Sequence, residues 1–251
     1  MARGKPRCFV CFSDKTCEKM LKIGATSLKM NRNSCDQPLA TQTRRIKATR
    51  RSLSGFYSLR GEPIAFESTL ERDFLKRMGF SVDVLSITPQ PARIDFVARN
   101  GRPYQYTPDY LVQFRHETGW RPMMVEVKPE EDWRENWREW LPKWKAAWRY
   151  AKSRGWSFHI VDESRIRDQV LENVIFLERH LHMDFAPEDT SAVLKSIYEM
   201  GEAPLHYILA LHFSGFEREG TSHLWHLLAS RQLDCDVRLP LDDFTSLWIP
   251  T

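Results

Sequence analysis

The middle of the chain shows two hydrophobic periods, one typical of helices and one of strands. A period near 3.6 residues predicts a helix over 63–79 that ends at a glycine. Short β-rich runs follow, and then a tryptophan-rich helical segment, another strand and another helix. The predicted strands cover 82–88, 93–98, 104–114, 121–128 and 156–162, and the later helices cover 132–154 and 163–182. This alternation indicates an α/β domain.

Five tryptophans recur at near-helical spacing in the segment 132–154. They are Trp133, Trp137, Trp140, Trp144 and Trp148. Such a stripe could stack on nucleic-acid bases, but a stripe at this spacing is more typical of a buried helix face, and we interpret it as core. We expect Pro142 to kink or divide the helix.

The two ends of the chain differ from its middle. Residues 1–40 have few large apolar side chains and no sustained period, which predicts an extension without a packed core. From 186 onward, helical patterns at 189–200, 204–213 and 221–231 precede the β-like run CDVRLPL. Three helices with a β-element predict a small winged-helix-like domain. We therefore divide the chain into 1–40, 41–185 and 186–251.

Charge is distributed unevenly along the chain. Residues 1–60 have a balance of +11 and residues 186–251 a balance of −6, although the net charge is only +4. The basic segment predicts contact with a DNA backbone, with a solvated linker as the alternative. Because the last part is acidic, we expect it to dock protein and not DNA. The candidate DNA-binding residues are Arg44, Arg45, Lys47, Arg50 and Arg51.

Cysteine usage and hydropathy bear on cofactor and compartment. The Cys8-x-x-Cys11 pair has zinc-ligand spacing, but no second tight pair follows, since Cys17 and Cys35 are far apart. We interpret these cysteines as free thiols. No apolar run is long enough to span a bilayer, and the first residues lack the apolar stretch of a secretory signal. The expected location is the cytoplasm of a bacterium.

Two carboxylates coincide with the apolar face of the first predicted helix. On a helical wheel, Glu67 and Glu71 fall within or beside the stripe formed by apolar residues at 66, 70, 74 and 78. An inward-facing carboxylate is costly unless it has a partner. A buried ion pair with arginine and a bound metal ion are the two alternatives.

Further charged residues appear at the ends of two predicted strands. Asp109 follows Pro108 at the start of an apolar strand, and Glu126 and Lys128 share one face of the next. A surface Glu–Lys pair would be unremarkable alone, but the ordered set is the PD-(D/E)xK pattern of nucleases. Carboxylates suit Mg²⁺ or Mn²⁺, one or two ions, which activate water for phosphodiester hydrolysis. We predict Glu71, Asp109, Glu126 and the Val127 carbonyl as ligands, with Lys128 orienting water or stabilising charge.

Four stretches, read in order, resemble the TnsA family, the endonuclease subunit of heteromeric transposases. They lie within 42–185 and read RRIKATRRSLSGFYSLRG, FESTLERDFL, YTPDYLV and VEVKP. The family's helix glutamate matches Glu71, its aspartate Asp109 and its lysine Lys128. Glu126 occupies a position where the family also has glutamine. The first 40 residues fall outside the family pattern.

The resemblance implies a restriction-endonuclease-like core, with a mixed sheet flanked by helices, that cuts the 5′ non-transferred strand at transposon ends. It implies a DDE-type, TnsB-like transposase for the other strand and an AAA+, TnsC-like ATPase regulator. Two transposon ends predict two copies in the assembly, and no membrane is involved. A restriction or repair nuclease and a non-catalytic DNA-binding scaffold remain as alternatives, and Glu67 is the alternative helix ligand.

Overall fold

The computed structural model describes residues 53–250, which form two compact units divided between Ile166 and Arg167. The predicted extension 1–40, its cysteines and the basic residues at 44–51 lie outside this range. Within 53–250, none of the helices is long and apolar enough to cross a membrane.

The first unit contains a mixed four-stranded sheet, as the α/β prediction requires. The elements are β1 Gly55–Leu59, β2 Glu62–Phe66, α1 Thr69–Gly79, β3 Val84–Pro89, β4 Ile94–Val97, β5 Pro103–Tyr106, β6 Tyr110–Phe114, a 3₁₀ turn His116–Thr118, β7 Met123–Val127, α2 Glu130–Ser153, β8 Ser157–Val161 and α3 Glu163–Ile166. The strands of the sheet run in the order β3-β6-β7-β8, antiparallel except for the parallel pair β7–β8. Two antiparallel hairpins, β1–β2 and β4–β5, accompany the sheet.

The first predicted helix was wrong in its first turns. Residues 62–66 form strand β2, and helix α1 begins only at Thr69. Ser68 is the N-cap, because its hydroxyl accepts a hydrogen bond from the backbone N–H of Glu71 at 3.1 Å. A capping serine three residues before a glutamate ends the preceding strand and starts the helix. The wheel that placed Glu67 on this helix therefore does not apply, since Glu67 precedes the cap.

Two other predicted elements are each divided in the structure. The predicted strand 104–114 is split into β5 and β6 around Pro108, which cannot donate to a sheet ladder. The predicted helix 163–182 is split because the Asp168 side chain accepts from the backbone N–H of Leu171 and caps a new helix there.

Helix α2 covers the sheet with its tryptophan stripe. Trp144 is 4% exposed and packs in a core with Met124 and Phe158, while Trp133, Trp140 and Trp148 pack against that core. The interpretation as core is confirmed for Trp144, and the other three are half-buried against that core. Trp137 is the exception, at 36% exposed. Pro142 lies inside the helix without dividing it.

The second unit, taken by itself, is mostly helical. Its division from the first unit precedes Arg167, whereas we predicted it at 186, because the helix at 169–178 packs in the second unit: the Asn173 side chain donates to the Val237 carbonyl. The elements are α4 Gln169–Glu178, α5 Pro187–Met200, β9 Glu202–Pro204, α6 Leu205–His212, α7 Glu217–Ala229 and β10 Ser246–Trp248.

A short antiparallel strand pair joins the middle of this unit to its last residues. Strand β9 pairs with β10, with Leu247 opposite Ala203. The predicted β-like run at 235–241 is not a strand; the nearest pairing is an isolated bridge between Asp234 and Trp248. The predicted helices and one antiparallel pair are present, and the winged-helix assignment stays a prediction.

Candidate active site

Two neighbouring strands bring the predicted acidic residues and lysine of the sheet together. Asp109 lies directly before β6, Glu126 lies within β7, and Lys128 follows β7. The backbone N–H of Val127 donates to Oδ2 of Asp109 at 2.8 Å, which fixes the aspartate side chain against the adjacent strand. The PD-(D/E)xK pattern thus becomes one cluster at a single end of the sheet.

The Lys128 ammonium lies between the two carboxylates. Its Nζ is 3.6 Å from Oδ2 of Asp109 and 3.7 Å from Oε1 of Glu126. The Glu126 side chain is 2% exposed, whereas that of Lys128 is 28% exposed. Lys128, and to a lesser degree Asp109 at 19% exposed, are therefore the members of the cluster that solvent or a bound phosphate can reach.

The electrostatics of the cluster are dominated by crowded, buried negative charge. Burial, and next the charge of Glu126, raise the pKa of Asp109 well above its ordinary value, although Lys128 opposes the shift. The Asp109 carboxylate in turn raises the pKa of Lys128, so that this ammonium stays charged. Such a site favours a cation over further anionic groups.

Glu71 reaches the site from helix α1 but is held by neutral donors. Its Oε2 accepts from the backbone N–H of Glu67 at 2.9 Å and from the Tyr110 hydroxyl at 3.1 Å. Its Oε1 accepts from the Ser68 hydroxyl at 3.1 Å. These hydrogen bonds at the start of the helix satisfy the buried Glu71 carboxylate. The sequence had suggested an ion pair with arginine or a bound metal ion, and neither alternative included helix capping. The charge of Glu71 still contributes to the raised pKa of Asp109.

The geometry of the sheet cluster agrees with the comparison to known protein families. Residues 81–163 match the family model described as TnsA-like endonuclease N terminal. This segment therefore resembles a TnsA-like endonuclease domain. It includes Asp109, Glu126 and Lys128 but not Glu71, and the resemblance to the TnsA family is confirmed for it. No curated protein matches the chain significantly.

The TnsA-like domain adds two residues to the site that the sequence reasoning missed. The Tyr106 hydroxyl donates to Oε2 of Glu126 at 2.5 Å, and Lys143 Nζ lies 3.2 Å from Oε1 of the same carboxylate. Tyr106 lies two residues before Pro108, and Lys143 lies next to Trp144 of the helical stripe. Only the lysine's position beside buried tryptophans could have indicated that it faces inward.

The donor set of the TnsA-like domain fits a hard cation in chemistry. Carboxylate oxygens of the half-buried Asp109 and the buried Glu126 lie within 3.7 Å of one ammonium, and each carboxylate adds to the negative field on the other. In residues 53–250, however, no group of three or more His, Cys, Asp or Glu side chains is already spaced to hold a metal ion. Both Lys128 and Lys143 place an ammonium group beside the Glu126 carboxylate, where a positive charge offsets its negative charge.

Proposed function

We propose that this protein is a metal-dependent DNA endonuclease that cleaves the 5′, non-transferred strand at transposon ends during cut-and-paste transposition. One observation carries the proposal. Within a TnsA-like endonuclease domain, the Lys128 ammonium lies within 3.7 Å of both Asp109 and Glu126. Two adjacent carboxylates beside a partly exposed lysine suit phosphodiester hydrolysis, because the carboxylates can hold a cation and the lysine can contact the phosphate.

The carboxylates of Asp109, Glu126 and Glu71, with the Val127 carbonyl, would hold Mg²⁺ or Mn²⁺. Such an ion neutralises phosphate charge and lowers the pKa of an attacking water. The protein's own contribution is to fix and screen the site. The Val127 N–H orients the Asp109 carboxylate, and the Tyr106 hydroxyl orients that of Glu126. The Lys128 ammonium would contact the phosphate.

We also propose a division of labour with partners. A DDE-type transposase cuts the other strand, an AAA+ ATPase connects the complex to its target, and two copies of this chain serve two ends. The basic residues Arg44, Arg45, Lys47, Arg50 and Arg51 hold the DNA backbone without reading sequence. Replacing four of these arginines with alanine should weaken DNA binding and flatten its dependence on salt.

The test is a cleavage assay with mapped ends on purified protein, transposon-end DNA, the DDE partner and Mg²⁺. Wild type should cut the 5′ strand, and Asp109→Ala should not, while both proteins keep the same circular dichroism spectrum. Cutting by Asp109→Ala at the wild-type rate would contradict the site assignment. Cutting of any duplex at unrelated sequences, without the partner, would favour the restriction or repair nuclease instead.

A further inference from the structure

Helix α2 contributes a second lysine to the acidic cluster. Lys143 Nζ lies 3.2 Å from Oε1 of Glu126, closer than Lys128, whose Nζ is 3.7 Å from the same oxygen. The two side chains come from different elements, Lys143 from the long helix and Lys128 from the end of β7. Glu126 therefore has a counter-ion that belongs to no part of the PD-(D/E)xK pattern.

Aromatic rings hold the Lys143 ammonium in place. Its Nζ lies 4.5 Å from the ring centre of Trp140, 5.2 Å from that of Tyr106 and 5.7 Å from that of Trp144. A cation within about 6 Å of an aromatic face is attracted to it, and the attraction grows when water is excluded. The lysine side chain is 18% exposed, so both the rings and the carboxylate fix it.

Charge in the cluster explains why a second lysine is needed. Glu126 is buried and Asp109 is half-buried, and Lys128 alone would have to neutralise both carboxylates. We propose that Lys143 is a positioning residue that serves as the counter-ion of Glu126 and thereby leaves Lys128 available to the phosphate. This inference rests on the proposed nuclease function and adds a residue to its site.

The role predicts effects of opposite sign on metal binding and on cutting. In Lys143→Met, a positive charge beside a metal ligand is lost, while the Tyr106 hydroxyl still orients Glu126. Mn²⁺ should therefore bind more tightly, by about tenfold, since electrostatic repulsion is removed. Cutting should become slower by about tenfold or more, because Lys128 is drawn towards Glu126, and outer partners of a site commonly have effects of this size.

The experiment measures Mn²⁺ affinity by titration calorimetry and single-turnover cutting at saturating Mn²⁺. Lys143→Arg keeps the charge and should retain most of both wild-type values. Lys145→Met is the matched control, because it makes the same charge change on a face of the helix about 200° away. It should leave both values unchanged. Equal weakening of metal binding and cutting in Lys143→Met and Lys143→Arg would mean a packing role and overturn the proposal, as would wild-type cutting by Lys143→Met.

A double-mutant cycle separates this inference from the proposed function. Urea unfolding of Glu126→Gln, Lys143→Met and the double variant should show coupling between the two positions, without any nuclease measurement. If the cycle shows coupling but the wild-type protein cuts no DNA, the ion pair between Lys143 and Glu126 is supported and the proposed nuclease function is refuted. Additive effects in a protein that does cut DNA would refute the role of Lys143 alone.

Discussion

The backbone N–H of Val127 donates a 2.8 Å hydrogen bond to the side chain of Asp109, so the strand that carries Glu126 also sets the aim of the aspartate. The two carboxylates are thereby coupled through one short stretch of main chain. A change in β7 that moves Glu126 also moves the support of Asp109. We expect the effects of substitutions at these positions to be non-additive.

Asp109→Asn should stabilise the metal-free protein at neutral pH. The raised pKa means that this carboxyl contributes stability below its unfolded value of 3.8, and that the contribution is lost as pH rises through the folded pKa. Asparagine does not titrate and can still accept from Val127. The variant should gain about 1 kcal/mol or more at pH 7 and nothing near pH 3.

The measurement is urea unfolding of both proteins with chelator across this pH range. Saturating Mg²⁺ should reverse the order, because a cation stabilises the native wild type and has lost a ligand in the variant. A variant less stable than wild type at neutral pH without metal would contradict the raised pKa.

Lys128→Ala should separate chemistry from assembly. Its partly exposed ammonium is no metal ligand and lies beside two of them, so its loss should not weaken Mg²⁺ binding and should leave complex formation nearly unchanged. Cutting of the 5′ strand should fall by ~10²–10³, the usual effect of one electrostatic contact to a transition state. An assay that maps both strands should still detect nicking of the 3′ strand by the partner. Loss of both cuts together would instead assign Lys128 to assembly.

Glu71→Gln should distinguish a metal ligand from a helix cap. Glutamine can replace glutamate in a capping box, so the free energy of unfolding should change by less than about 0.5 kcal/mol, whereas Ser68→Ala should cost about 1 kcal/mol. If Glu71 also holds the cation, cutting should fall by about 10²-fold or more. Glu67→Gln is the control, and it should cut normally. A fully active Glu71→Gln variant would leave Glu71 with a capping role only.

We expect Phe244 of the second unit to be an apolar contact residue for a partner protein with a basic surface. Its side chain is 76% exposed and follows Asp242 and Asp243 in an acidic region. Phe244→Ser should weaken binding of the proposed ATPase partner by about tenfold, as loss of an exposed aromatic anchor does. Tyr198→Ser, at a side chain 75% exposed, is the control. Equal binding by the Phe244→Ser and Tyr198→Ser variants would show that Phe244 is not part of the docking surface. Truncation after 240 is a poor test, because Leu247 is fully buried.

The sequence was sufficient for the sheet part of the site because strand periodicity places side chains directly. Glu126 and Lys128 are two residues apart in an apolar strand and face the same way, and Pro108 marks where Asp109 must sit. The helix glutamate was harder. Phe66 fits the strand period with Ile64 and the helix period with Leu70, and only Ser68 with Glu71 signalled the true helix start.

Lys143 could not be found from the sequence pattern for a different reason. Its contact with Glu126 joins residues 17 apart on a strand and on the helix that follows, and it depends on how that helix packs across the sheet. Likewise, a hydroxyl such as that of Tyr106 has many partners open to it until tertiary packing selects one. Local periodicity carries no information about either contact.

The parallel pairing of β7 with β8 has a consequence for synthesis of the chain. Glu126 lies opposite Ile160, and the long helix α2 must be made before those two residues can pair. Parallel strands joined by a helical crossover pair late, because the intervening chain has to be closed first. In a ribosome-bound chain that ends before 157, β7 has no partner on its β8 side. Helix α2, which carries Lys143, then also lacks β8 to pack against. The proposed active site is therefore expected to form only when the domain is nearly complete, so an unfinished chain should lack nuclease activity.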